Sequence, residues 1–214
     1  MAGLEEACAV HEFGNDADRC ALLDAAGRCF AKLGYERTTM AVIASSVGIS
    51  VSELSTYFPS REEVFHAVSA SVFDMFLEAQ RIPVQPGTDP RVVLGAATAA
   101  FIESVFRFGR LFTLIEDRAA VDPVVKEQLE TAHGRVLRRY IRFIEGLGQT
   151  GAATPCAEPA QLARKLSDAQ WSGAERLIDA PKDEQQRFIA DITAASERFI
   201  GIGGVTELTS RTAS

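Results

Sequence analysis

A chain of 214 residues accommodates one or two compact domains with ample core. Its 22 basic against 29 acidic residues leave a net charge of −7, which excludes a broadly basic nucleic-acid binder but permits a local contact patch. Hydrophobic residues make up 47% of the chain, yet no apolar run approaches the roughly 18–20 residues of a membrane span. There is also no basic-then-apolar leader, so a cytoplasmic globular protein with no membrane partner is expected.

Strand signals are nearly absent, and apolar residues recur at three- and four-residue steps, which makes the fold all-α. Residues 1–15 read as a disordered arm. A first helix is predicted over Asp16–Leu33, ending at Gly34. Two short apolar-periodic segments follow, Met40–Val47 and Val51–Tyr57, flanking the turn Gly48-Ile49-Ser50. Gly48 can take the positive φ of a tight helix-to-helix turn. Ser50 can N-cap the second segment, with Glu53 completing an S-x-x-E capping box. Ile43, Ala44, Val47, Ile49 and Leu54 are spaced to bury between the helices, leaving Val51, Ser52, Ser55 and Thr56 on a free face. A rigid free face on a short second helix is what a major-groove reader presents to base edges.

Pro59-Ser60 opens a fourth helix to about Gln80, with Ser60 and Glu63 forming a second capping box. The segment Ile82-Pro83-Val84-Gln85-Pro86-Gly87-Thr88 reads as a loop between domains. Asp89-Pro90 caps a fifth helix to about residue 107, Gly109 starts a short helix to Ala120, and Asp122-Pro123 opens a long one to about Leu147. Residues 148–158 read as a flexible connection. Two last helices are predicted over about 159–180 and 182–200, split by Pro181, with a frayed tail after Gly203.

The run Ala25-Ala26, Phe30, Gly34-Tyr35, Thr38-Thr39, Ile43-Ala44, Gly48-Ile49-Ser50, Leu54 and Tyr57-Phe58-Pro59-Ser60-Arg61-Glu62-Glu63-Val64-Phe65 resembles the N-terminal domain of the tetracycline-repressor (TetR) family. The resemblance covers roughly residues 18–68. It implies a homodimer with a helix-turn-helix domain over 16–65 that binds double-stranded operator DNA. It further implies a helical effector-binding and dimerisation domain over 66–203, then a tail over 204–214. On this resemblance the DNA-binding residues are Thr38, Thr39, Ser50, Val51, Ser52, Ser55, Thr56, Tyr57 and Arg61, with Thr38, Thr39, Tyr57 and Arg61 at phosphate-touching positions.

The departures bear on DNA affinity. Similar proteins often carry a basic residue at Val51, a small one at Glu53 and Tyr at Ser55. Between Thr38 and Ser60 there is no Lys or Arg, and the one charge is Glu53. The arm carries Glu5, Glu6, Glu12, Asp16 and Asp18 against Arg19. Since phosphate neutralisation supplies most non-specific affinity, DNA binding is expected to be weak, to need low salt, or to run through few contacts. Glu53 reads either as the capping partner of Ser50 or as a contact to a cytosine amino group. A third reading is a TetR-like module that has lost operator recognition.

In the remaining helices, Phe73, Phe76, Phe101, Phe106, Phe108 and Phe112, with Trp171, read either as ordinary core or as an aromatic effector cavity. The predicted ligand-binding set is Phe73, Phe76, Phe101, Phe108, Phe112, His133 and Trp171. His66 and His133 read as ligand donors or as satisfied buried imidazoles. Arg135, Arg138, Arg139 and Arg142 share one helix face, solvated or facing an anionic head group or an acidic partner surface. Leu162, Leu166, Ala169, Gly173 and Leu177, then Phe188, Ile192, Ala195 and Phe199, form apolar stripes suited to a four-helix dimer interface or to intrachain core.

Cys8, Cys20, Cys29 and Cys156 lack C-x-x-C spacing and read as reduced thiols, with a redox switch as the alternative. No H-x-x-x-H, H-E-x-x-H, G-x-S-x-G or Gly-rich phosphate loop is present. No enzyme activity, metal or cofactor is therefore expected.

Overall fold

The computed structural model describes residues 16–203; residues 1–15 and the tail after Gly203 lie outside the described residues. Among those described, nine helices occur in order: α1 Asp16–Leu33, α2 Met40–Val47, α3 Val51–Tyr57, α4 Arg61–Ala79, α5 Pro90–Phe108, α6 Arg110–Ala119, α7 Pro123–Gln149, α8 Pro159–Arg176 and α9 Lys182–Ile200. The extended pairing found among them is a single isolated bridge, Ala153 to Ile202. No single described helix is long and apolar enough to cross a membrane.

Local chemistry accounts for the helix ends. Ser60 Oγ accepts from the Glu63 amide at 3.2 Å, and Asp89 Oδ1 from the Arg91 amide at 2.8 Å. Asp122 Oδ1 accepts from the Val124 and Val125 amides at 3.1 and 3.3 Å. Each satisfies amides that the first helical turn leaves without intrahelical partners. The Glu158 carboxylate does the same for Gln161 at 3.0 Å, just before Pro159 at the start of α8.

The chain divides into two compact units. One comprises residues through Glu78 with Phe108–Ala132, and the other comprises Ala79–Arg107 with residues from His133 onward. The expected boundary after residue 65 falls within the first of these units. In the first unit α6 packs against α1, close enough that a Cβ on Gly27 would lie 3.3 Å from Leu111 Cδ2. Phe112 also meets Phe73 and Phe76 of α4, with ring centroids 6.0 and 5.6 Å apart. Such long-range burial outweighs sequence order and leaves no sign in local periodicity.

The first unit has a second aromatic knot, in which Phe30, Tyr35 and Phe65 lie with centroids 4.9–5.9 Å apart. In the second unit Leu94, Ile144, Leu162, Leu166 and Ile200 form the core. Gly201 ends α9 at φ 75°, where an added Cβ would lie 2.2 Å from the Thr154 carbonyl oxygen. That closeness lets the Thr154 amide donate back to Gly201 at 3.2 Å, tying 151–156 to the end of α9. The connection predicted to be flexible is thus held by hydrogen bonds.

Candidate nucleic-acid interface and ligand cavity

The helix-turn-helix is built by caps. Thr39 accepts from the Val42 amide at 3.2 Å and starts α2. Gly48, at φ 76° and ψ 24°, ends it in the left-handed conformation, and the Ile49 amide donates to Ala44 at 3.1 Å. Ser50 Oγ then accepts from the Glu53 amide at 3.1 Å and starts α3. Ile43, Ala44 and Leu54 are fully buried at the junction. Val51 and Tyr57 are 43% and 51% exposed, and Ser52, Glu53, Ser55 and Thr56 share their exposure.

Two of the α3 hydroxyls are turned inward. Ser55 donates to the Val51 carbonyl at 2.8 Å and Thr56 to the Glu53 carbonyl at 2.7 Å. Their protons are committed to the helix, so towards solvent these oxygens act as acceptors. With the Glu53 carboxylate and the Val51 methyls, the free face offers acceptors and an apolar patch but no cation.

Two of the predicted phosphate contacts are engaged within the protein itself. Thr38 is fully buried, its hydroxyl within reach of the Gly34 and Cys29 carbonyls at 2.8 and 3.2 Å, so it braces the α1–α2 turn. Arg61 donates through Nη1 to the Tyr35 and Glu36 carbonyls at 3.2 and 3.1 Å. Its guanidinium lies 4.3 Å from the Tyr35 ring centre, with that of Arg118 at 4.0 Å. Arg61 is therefore occupied within its own unit. Thr39 and Tyr57 remain exposed. Sequence reasoning overlooked a groove between α1 and α2, lined in part by Arg28, Lys32, Ser45 and Ser46. The i, i+4 spacing of Arg28 and Lys32 was its one signal.

His66 resolves as a satisfied imidazole, its Nε2 2.9 Å from Asp122 Oδ2. Burial by itself would raise the Asp122 pKa, but the His66 contact and the α7 amides outweigh it and hold the carboxyl below its ordinary value. Glu62, His66 and Asp122 bring potential ligand atoms within 4.8 Å of one another. Asp122 Oδ2, however, also lies 3.6 Å from the Arg118 guanidinium. The cluster reads as an anchor joining α4, α6 and α7, in which Arg118 already supplies the cation.

The second unit holds a cavity of about 170 Å³, lined by apolar groups of Ile82, Val93, Leu94, Ala97, Phe101, Val136 and Phe143 and by polar groups of Gln80, Arg139, Tyr140 and Gln170. Of the predicted ligand set, Phe101 lines it. Trp171 packs edge-on to Phe101 at 6.1 Å and to His133 at 5.2 Å without joining the lining. Burial lowers the His133 pKa, which Asp168 partly offsets. Phe73, Phe76, Phe108 and Phe112 instead pack together in the other unit. That part of the predicted set is corrected to core.

The predicted dimer stripes divide similarly. Leu162 and Leu166 belong to the core of their own unit, and Gly173 is buried where a Cβ would strike the Phe188 ring. Ala169 is exposed and Phe199 is 51% exposed. Leu177, Phe188, Ile192 and Ala195 are half-buried. Among the described cysteines Cys29 and Cys156 are free, and Cys20 is buried. Cys8 lies outside the described residues.

Residues 22–68 match the family model of bacterial regulatory proteins, tetR family. The chain is 31% identical over 118 residues to the HTH-type transcriptional activator FasR of Mycolicibacterium smegmatis, covering 55% of this chain and 54% of that protein. The match thus spans about half the length of that relative. A TetR-like transcriptional regulator from Rhodococcus sp. RHA1 superposes with a TM-score of 0.67 at 21% identity, covering 85% and 96% of the two chains. A regulator from Saccharomonospora viridis in complex with choline does so at 0.71 and 16%, covering 83% and 95%.

Proposed function

We propose that the chain, whose residues 22–68 match the family model of bacterial regulatory proteins, tetR family, is a homodimeric, cytoplasmic, ligand-responsive regulator of that family, a repressor released from operator DNA by a small effector. The observation that carries this reading is the exposure of Val51, Ser52, Ser55, Thr56 and Tyr57 beside a buried Leu54. A helix fixed at its base and bare on its outer face fits the major groove. Its acceptors suit the amino groups of cytosine and adenine, and the Val51 methyls suit the methyl of thymine. Ser50 and Thr39 cap the two helices and bring backbone amides towards the duplex, with Tyr57 beside them.

The cavity of the second unit supports the effector half of the reading, as does the choline complex of the Saccharomonospora protein. An effector releases DNA only by binding the non-operator conformation more tightly. Exposed Ala169 and Phe199, with half-buried Leu177, Phe188, Ile192 and Ala195, are the proposed remaining contributors to the dimer contact.

A second reading, a ligand-binding module with weak or lost operator recognition, is favoured by two observations. The helix-turn-helix has no Lys or Arg between Thr38 and Ser60, and Arg61 is held by carbonyls. Fluorescence anisotropy on duplexes from the DNA flanking the coding region, against scrambled duplexes across a salt series, separates the two. The regulator reading expects sequence preference with a shallow salt dependence. Equal affinity for both duplexes at the lowest salt establishes the module.

A further inference from the structure

Three buried side-chain atoms of the second-unit cavity have no hydrogen-bond partner: Gln80 Nε2, Gln170 Nε2 and Tyr140 Oη. All three residues line the same cavity. Gln170 is only 4% exposed, and Tyr140 Oη lies near Gln170 and Ser196 without closing a well-formed bond to either. Unpartnered buried polar groups are costly, and natural structures keep few of them without a use.

Their chemistry is of one kind. An amide nitrogen only donates. Burial pushes the Tyr140 hydroxyl up to about 12, so it stays protonated at any physiological pH and has a proton to donate. The lining further contains Arg139 and, among its members, no Asp or Glu. Three unused donors therefore converge in a chamber whose other walls are mostly apolar, with Arg139 and the hydroxyl residues Thr98 and Ser167 among the lining. A chamber of about 150 Å³ with apolar walls accepts benzene, so this one has room for a ring-sized body with a small head group.

We infer that the effector is a small carboxylic acid, bound as its carboxylate by Gln80, Tyr140 and Gln170, with a ring-sized or branched apolar body against Phe101, Val136 and Phe143. The inference rests on reading this cavity as the effector site. The carboxylate supplies acceptors to the donors the fold leaves idle, in a lining that also contains Arg139.

Isothermal titration with benzoate, toluene, benzylamine and choline on the full chain, without DNA, tests the class directly. Benzoate is expected to bind at least ten-fold more tightly than the other three. Tyr140→Phe and Gln170→Leu are each expected to weaken benzoate at least ten-fold while Tm of the ligand-free protein stays level or rises, since each removes an unpartnered polar atom. A residue with a merely structural role would lower Tm instead. Failure of benzoate to bind, an amine or toluene binding as tightly, or both variants keeping benzoate affinity overturns the inference. Benzoate binding that leaves DNA affinity unchanged would preserve the ligand class and refute only the proposed coupling to the operator.

Discussion

Arg61 and Tyr35 are joined twice: the guanidinium carbon stands 4.3 Å from the ring centre, and Nη1 donates to the Tyr35 carbonyl at 3.2 Å. The start of α4 is thereby clasped to the turn that follows α1. An arginine at a position suggestive of phosphate contact serves first as a strut.

Removing that strut should register in stability before it registers in DNA binding. Arg61→Ala is expected to cost about 1–3 kcal/mol, from two hydrogen bonds to a charged donor and one cation–π contact. Arg61→Lys should recover only part of this, because an ammonium cannot both fork and stack. Urea denaturation gives the loss. In a salt series on DNA the slope should change by much less than the roughly 0.9 per lost phosphate contact. A full unit of slope lost with stability intact would return Arg61 to the phosphate-binding role.

Asp122 carries a pH dependence whose sign follows from its environment. Its folded pKa is lowered below the ordinary 3.8, through His66 and the Val124 and Val125 amides acting against burial. A depressed carboxyl contributes stability that is present above the unfolded pKa and lost as pH falls through the folded one. Asp122→Ala should therefore cost about 2 kcal/mol at neutral pH, as a lost cap and lost buried partner. The gap from wild type should narrow below pH 3.8. Asp122→Asn, which can still cap, should lose less. Unfolding free energies from pH 7 to pH 3 decide it; a gap that widens on acidification contradicts the assignment.

The elements were legible in the sequence because their signals are local. Gly48, Ser50, Ser60, Asp89 and the Asp122-Pro123 pair all lie within a turn of the helix end they set, and the observed helices begin or end beside them. What was not legible depends on who packs against whom. Phe73 and Phe101 look alike in sequence, yet one joins Phe112 in the first unit and the other joins the cavity of the second. Thr38 reads as a surface hydroxyl until the fold closes over it. The polar members of the cavity, Gln80, Tyr140 and Gln170, come from three helices or their ends and have no common spacing. Leu162 and Leu166 likewise form a stripe that is the same whether its partner is intrachain or a second copy.

Gly48 offers a clean test of the turn. Its φ of 76° lies in the left-handed region, and no atom lies within 4 Å of an added Cβ. Gly48→Ala should therefore cost only the conformational penalty, about 1–2 kcal/mol. Gly48→Asn should cost less, because Asn tolerates this region better. Thermal unfolding of the two variants checks the order. Equal losses would mean that something other than backbone conformation is at stake.

Val51 tests whether the bare face of α3 meets a duplex. It is 43% exposed at the first turn of the helix, so Val51→Lys adds a cation without disturbing the core. Affinity for all duplexes should rise, and the salt slope should steepen by roughly 0.9 for one new phosphate contact. Anisotropy across the same salt series reads both. An unchanged slope would mean that α3 is not at the DNA surface.

Gly173 sets the approach of α8 to α9, since an added Cβ would lie 2.2 Å from Phe188 Cζ. Two effects oppose each other in Gly173→Ala. Alanine gains about 1 kcal/mol over glycine within a helix, while overpacking costs about 1–3 kcal/mol. Because the ring edge must move rather than slide past, overpacking should win and the variant should be destabilised. Phe188→Leu alone should also destabilise, by leaving space over Gly173. Combined, the two changes restore the fit, so the double variant should be more stable than the sum of the single losses allows, by about 0.5–3 kcal/mol of coupling. Denaturant unfolding of the four proteins completes the cycle. Strict additivity would place Phe188 away from Gly173 in solution and remove the close α8–α9 crossing.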